Sequence, residues 1–220
     1  MGVVNAVVFD LYGTLITLDA VTRPLLRSVI DSGLKDRRKF HQARIIALTK
    51  DFGYGDKFSL ERFLQSIKDD LQINFQESRQ MDLSSYESDL EAEITSARLY
   101  SDVKETLSAL KKQKIPIGLI SNLASPYIKP FFALGLGEYF DEANRIFSCS
   151  VGTKKPDAEI YGKMLKALHL EPERVLIVGN SRRNDVIAPI SYGMLAYHVA
   201  RHKGRPLDRI LEEFEFQAPK

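Results

Sequence analysis

From residue 101 onward strand-like and helix-like patterns alternate, and this alternation restricts the possible folds more than any other feature. Residues 101–114 place Val103, Leu107 and Leu110 on one helical face and lead into the apolar run 115–120. Ser125 reads as a cap with Pro126 at the first helical position, opening a helix toward Leu134. Strand patterns follow at 145–149, 174–179 and 194–200, and helical ones at 157–169, 185–192 and 207–214; Pro189 should shorten or kink the second of these. Strands separated by helices in this way form a parallel sheet wound on both faces, the α/β class.

One further strand lies far upstream. Ala6-Val7-Val8-Phe9 is a Val-rich run suited to burial on both faces of a parallel sheet, and it breaks abruptly at Asp10, with Gly13 and Thr14 just beyond. Open α/β sheets place their chemistry at the carboxyl ends of strands, where Asp10 would stand. The plainer alternative is that Asp10 caps a turn. Between Leu15 and residue 100 the pattern is helical: 19–31 carries Val21, Leu25, Leu26, Val29 and Ile30, and 36–52 carries Phe40, Ala43, Ala47 and Leu48. Ser59 is placed to cap a helix over 60–71, and 75–98 reads as one long or two short helices. Helices without strands make a bundle, so residues 16–99 are expected to form a helical cap inserted into a core of 1–15 and 100–220, hinged near 15–18 and 99–102.

Composition narrows the function. The 31 basic and 29 acidic residues leave a net charge of +2, too weak a field to attract nucleic acid. The basic clusters at 36–39 and 111–114 read as solvated helix faces or ends. Cys149, the single cysteine, cannot form an internal disulfide and falls in the strand pattern 145–149, which suggests a buried, inert thiol in a reducing compartment. With no basic stretch before an apolar segment and no apolar run of about 18 residues, neither secretion nor membrane spanning is expected, leaving the cytoplasm. The apolar cap helices leave room for a monomer or a homodimer.

Three further motifs accompany Phe9-Asp10-Leu11-Tyr12-Gly13-Thr14-Leu15. Ser121-Asn122 follows the strand 115–120 and offers a hydroxyl and an amide to an anionic group; as an isolated pair it reads equally as a helix cap. Lys154-Lys155-Pro156-Asp157 places a lysine before a helix, where a surface position is the bland reading, and Tyr161 follows inside that helix. The fourth is Gly179-Asn180-Ser181-Arg182-Arg183-Asn184-Asp185, after the strand 174–179. The set, in this order, resembles the haloacid dehalogenase (HAD) superfamily over about two-thirds of the chain, its first motif being similar to that of the L-2-haloacid dehalogenases.

The resemblance implies a Rossmann-like core, a hydrolase, and a covalent intermediate on Asp10 formed with a small anionic substrate. It implies catalytic parts for Asp10, Thr14, Ser121, Asn122, Lys155 and Asp185, and substrate contacts from Tyr12, Tyr161, Asn180 and Arg44, the last a loose positional match with Arg37 and Arg38 as competitors. Superfamily phosphatases carry an acid two residues after the nucleophile, to protonate the leaving alcohol, and two acids in the fourth motif that coordinate Mg²⁺. Here Tyr12 replaces the first acid and Asn180 one of the others. Halide leaves without a proton, so metal-free 2-haloacid dehalogenation is the first expectation. An Mg²⁺-dependent phosphatase is the alternative, its metal held by Asp10, the Tyr12 carbonyl, Asn180 and Asp185. The pairing Asn184-Asp185 resembles the phosphatase form. A weakly active or inactive ligand- or partner-binding member is the third possibility.

Overall fold

The Val-rich run forms the middle strand of a five-stranded parallel sheet. The structure is a computed structural model in which residues 3–18, 58–71 and 83–219 are described. In chain order, β1 (Ala6–Phe9) and the two-residue β2 (Ile16–Thr17) are followed by helices α1 (Leu60–Leu71) and α2 (Leu83–Thr95) and by β3 (Arg98–Leu99). Next come α3 (Val103–Lys112), β4 (Ile117–Ser121), a 3₁₀ turn at Ser125–Ile128, α4 (Lys129–Ala133), β5 (Arg145–Phe147) and α5 (Ser148–Val151). The remainder is α6 (Ala158–Leu168), β6 (Val175–Gly179), α7 (Ala188–Ser191), β7 (Leu195–His198) and α8 (Ile210–Glu213). The sheet order is β5-β4-β1-β6-β7, with every neighbouring pair parallel.

Burial on both faces explains why β1 is apolar throughout. Val7 and Phe9 join one core, with Leu119, Leu176, Val178 and the α3 residues Val103, Leu107 and Leu110. Ala6 and Val8 join the other, with Ile177 and the α6 residues Ile160, Tyr161 and Met164. Successive strand residues point to opposite faces, so helices on both sides require apolar residues at both parities. Each large apolar side chain buried this way contributes roughly 1.5–3 kcal/mol.

β2 and β3 pair antiparallel, Ile16 with Leu99 and Thr17 with Arg98, so the chain leaves the sheet and returns to it at one place. No sequence pattern announced this ladder, because two residues show no periodicity. Both expected hinges lie beside it. Ser59 caps α1 as read, its Oγ accepting from the Arg62 N–H at 3.3 Å, and α1 packs on α2. The helices expected over 19–31 and 36–52 lie outside the described residues.

Several local expectations need correction. Cys149 is not in a strand: β5 stops at Phe147, and the half-buried thiol lies in α5, where burial pushes its pKa up. Ser125 does not cap; the cap position is Ala124, and Ser125 begins the 3₁₀ turn, with Pro126 inside its first turn. The helix expected over 185–192 divides into a wide π-type turn at Arg182–Ile187 and α7, with Pro189 in the first turn of α7, where a missing N–H is tolerated. Among the described residues no helix is long and apolar enough to cross a membrane.

Candidate active site

Asp10 follows β1 directly and is still held by the sheet, its N–H donating to the Val178 carbonyl at 2.9 Å. The chain then turns tightly: Leu15 and Ile16 both donate to the Leu11 carbonyl, and Gly13 donates to Ile16 at 2.7 Å. Gly13 has φ +83°, and a Cβ there would lie 2.1 Å from Asn180 Nδ2. A bare Cα is therefore needed twice, for the left-handed turn and for the approach of Asn180. Thr14, wholly buried, donates from Oγ1 to Asp10 Oδ2 at 3.2 Å.

Lys155 binds the strand ends together. Its Nζ lies 2.8 Å from Asp10 Oδ1 and 2.7 Å from Asp185 Oδ1, all three groups being buried. The second Asp185 oxygen accepts from the Ser181 N–H at 2.9 Å, and a Cβ on Gly179 would meet the Asp185 carboxyl at 2.4 Å. Asn122 does not stand as a free donor: its carbonyl accepts from the Lys155 N–H at 2.8 Å and its amide donates to the Lys155 carbonyl at 2.7 Å. This two-point clamp fixes the lysine backbone. Ser121 ends β4, one strand from Asp10, buried and with no hydrogen bond from its hydroxyl among the described residues.

The tyrosines are engaged structurally. The Tyr12 hydroxyl donates to the Tyr127 carbonyl at 2.9 Å, and the two rings meet edge to face. Tyr161 is buried in α6 and donates to the Asn184 carbonyl, bracing the turn that carries Asp185; burial pushes its pKa up. Both were expected to touch substrate, but folding has given both hydroxyls protein partners. Asn180 is exposed, its side chain against Gly13 and its carbonyl 3.0 Å from His198 Nε2. Arg44, with its competitors Arg37 and Arg38, lies outside the described residues. Lys154 is the half-buried neighbour of Lys155.

Burial raises the Asp10 pKa to about 6; the Lys155 ammonium opposes that rise and the Asp185 carboxylate reinforces it. For Lys155 burial acts to lower the pKa, but the two carboxylates outweigh it and hold the ammonium above its ordinary range. The two upward shifts are compatible, because Asp10 shares the Lys155 ammonium with a second carboxylate. Chemistry that uses ionised Asp10 is therefore expected to lose kcat/KM on the acid side with a midpoint near the Asp10 value of about 6. A rate profile flat down to about pH 4, the ordinary carboxylate range, would contradict it.

Two positions had no sequence signal. Arg201, beyond β7, donates to the Thr14 carbonyl at 2.7 Å, and Tyr127 donates to Glu93 of α2 at 3.3 Å. Neither lies in a motif, and both contacts join segments far apart in the chain.

Known proteins resemble this chain in sequence and in fold. The family model of the haloacid dehalogenase-like hydrolases matches residues 4–193. A phosphoglycolate phosphatase of Photorhabdus laumondii is 31% identical over 198 residues, covering 86% of this chain and 77% of that protein. Among solved structures, the L-2-haloacid dehalogenase RSc1362 superposes with TM-score 0.67 at 16% identity, over 94% of this chain and 90% of that one. A HAD family enzyme of Bacteroides thetaiotaomicron, in complex with magnesium and inorganic phosphate, superposes with TM-score 0.65 at 17% identity, over 92% of this chain and 100% of that one. At such identities the two superpositions speak to the fold alone.

Proposed function

The chain belongs to the haloacid dehalogenase-like hydrolases, and from that premise we propose that it hydrolyses small phosphomonoesters by attack of Asp10 on phosphorus. The supporting observation is an excess of carboxylate. Among the described residues one ammonium, Lys155, serves both Asp10 and Asp185, so two carboxylates share one positive charge at the strand ends. Such a site is suited to a divalent cation, which would offset the charge of both the carboxylates and an anionic phosphate. The similarity to a phosphoglycolate phosphatase points the same way. The order expected from Tyr12 and Asn180 is thereby reversed, and phosphatase chemistry comes before dehalogenation.

The residues fit Mg²⁺ in one particular form. Among the described residues no three His, Cys, Asp or Glu side chains converge on a metal position. Mg²⁺ is nevertheless commonly held by one or two carboxylates, with substrate phosphate oxygens and water completing its shell. Asp10, Asp185, the Asn180 amide oxygen and the Tyr12 carbonyl would hold it, and it would neutralise the charge between the Asp10 carboxylate and an anionic phosphate. An amide in place of an acid at Asn180 implies weak binding that depends on substrate.

Asp10, ionised and held by Thr14 and Lys155, forms an O–P bond while the ester P–O bond breaks. The leaving alkoxide takes its proton from solvent, because the Tyr12 hydroxyl is committed to Tyr127. Water then attacks phosphorus, releasing phosphate and regenerating Asp10. Lacking a general acid, the enzyme should prefer aryl phosphates, whose leaving groups need no proton. Tyr12→Asp is expected to raise the rate on 2-phosphoglycolate by roughly 10- to 100-fold, within the usual reach of general acid catalysis, and to change that on para-nitrophenyl phosphate little. Equal effects on both substrates would contradict this account of Tyr12. The proposal includes a small anionic substrate and a cytoplasmic setting.

Metal-free dehalogenation is the second reading, favoured by Tyr12 itself, since a departing halide needs no acid. Incubation with para-nitrophenyl phosphate and with 2-chloropropionate, each with Mg²⁺ or EDTA, separates the two. Mg²⁺-dependent phosphate release supports the proposal; halide release indifferent to EDTA overturns it.

A further inference from the structure

We infer that Arg201 is a positioning residue for the nucleophile: its guanidinium binds the Thr14 carbonyl, the Asp102 carboxylate and the Tyr100 ring at once, and so fixes the Asp10–Thr14 turn against the chain where it re-enters the sheet. The inference rests on the reading of Asp10 as the attacking group, whichever substrate it attacks.

Three contacts converge on this group, and a fourth holds one of its partners. Arg201 donates from one terminal nitrogen to the Thr14 carbonyl at 2.7 Å and from the other to Asp102 Oδ2 at 2.5 Å. The guanidinium carbon lies 4.0 Å from the centre of the Tyr100 ring. Asp102 is held in turn by the Leu207 N–H, 2.8 Å from the same Oδ2. Each partner sits at a distinct structural junction. Thr14 carries the hydroxyl that reaches Asp10, while Tyr100 and Asp102 follow β3, and the Tyr100 N–H donates to the Leu15 carbonyl at 3.2 Å. Arg201 therefore stands where the β2–β3 ladder meets the nucleophile turn.

The geometry of the ion pair favours positioning over simple stabilisation. A guanidinium and a carboxylate with nothing else to satisfy would close on each other through two parallel hydrogen bonds. Here the guanidinium is rotated so that one nitrogen reaches Thr14, which leaves Arg201 Nε and Asp102 Oδ1 buried without partners among the described residues. Orphaned buried polar atoms are unfavourable, and what is gained in exchange is the hold on the Thr14 carbonyl. Lysine, a point charge without a planar face, can reach one acceptor but cannot satisfy both and stack on Tyr100.

The test compares Arg201→Met and Arg201→Lys with wild type on whichever substrate wild type turns over. Arg201→Met is expected to lower kcat per folded molecule about 10- to 100-fold, the effect of misplacing a reacting group by about an ångström. KM should stay within about threefold, as Arg201 makes no substrate contact, and Arg201→Lys should recover part of the loss. If Arg201→Met fails to fold, Arg201→Lys decides alone: a kcat loss of about threefold or more, with KM held, supports the inference. Wild-type kcat in the folded variant overturns it, even with a lowered melting temperature. Should wild type turn over neither para-nitrophenyl phosphate nor 2-chloropropionate, the proposed function fails, and amide exchange at residues 11–16 decides the positioning inference independently. Faster exchange there in the variant than in wild type supports it, and unchanged exchange overturns it.

Discussion

Asp10→Asn is expected to lower kcat/KM by at least about 10³-fold, the scale on which removal of a covalent nucleophile acts, while the protein stays folded. The side chain keeps its shape, so any effect is chemical: an amide in place of the carboxylate that would form the ester. Folding should not suffer, because Asp10 is a buried acid whose folded pKa of about 6 lies above its ordinary 3.8. The sign follows from proton binding. Between these two values the folded state binds more protons than the unfolded one, so the contribution of Asp10 to stability falls as pH rises through that window and stays unfavourable above it. Asparagine removes that term, and Lys155 retains Asp185 at 2.7 Å. At pH 8 the variant should melt no lower than wild type. Initial rates and thermal unfolding measure both outcomes, and a variant that keeps the wild-type rate would remove Asp10 from its assigned role.

Lys155→Met should damage both activity and stability. Its ammonium is the only cation hydrogen-bonded to Asp10 and Asp185 among the described residues, and its loss leaves two buried carboxylates facing each other. Breaking a buried pair by removing one partner typically costs about 3–5 kcal/mol, or roughly 10 °C in melting temperature for a chain of this size. Without the ammonium, the Asp10 pKa rises further, since Lys155 is the main influence lowering it. A larger share of Asp10 would then be protonated at neutral pH and the group that holds it would be gone, so turnover should fall by roughly 10²-fold or more. The stability loss should be largest at alkaline pH and shrink as pH falls and Asp10 takes up a proton. Denaturant unfolding of both proteins at pH 8 and pH 5 gives the comparison; an equal deficit at the two pH values would mean that packing of the lysine stem, not its charge, is what the triad loses.

Much of this site was readable along the chain because its residues sit where regular structure ends. β1, β4 and β6 are apolar runs that stop at Asp10, Ser121 and Gly179, and a parallel sheet brings such ends together whatever the loops between them do. Lys155 and Asp185 were identifiable for the same reason, each lying in a motif anchored to a strand or helix. The tyrosines were not. Tyr12 and Tyr161 are expected near substrate by position, whereas the hydrogen-bond partner of a phenol is chosen by what lies within about 3 Å of it. Here that is the carbonyl of Tyr127 and the carbonyl of Asn184, supplied by segments 115 and 23 residues away. Asn122 likewise looked like a donor for an anion, and only the approach of the Lys155 backbone engages its amide.

What the sequence determined by itself is the fold class, the carboxylate at the end of the central strand, and the motif residues that gather around it. Hydrophobic periodicity and strand ends are local properties, and the right-handed crossover rule turns them into one topology. What only the tertiary structure decided is how the charges and hydrogen bonds are shared: one lysine between two carboxylates, two tyrosine hydroxyls committed to backbone carbonyls, and Arg201 reaching across from residue 201 to the nucleophile turn. Those interactions depend on distances of a few ångströms between segments remote in the chain, and no local pattern encodes them.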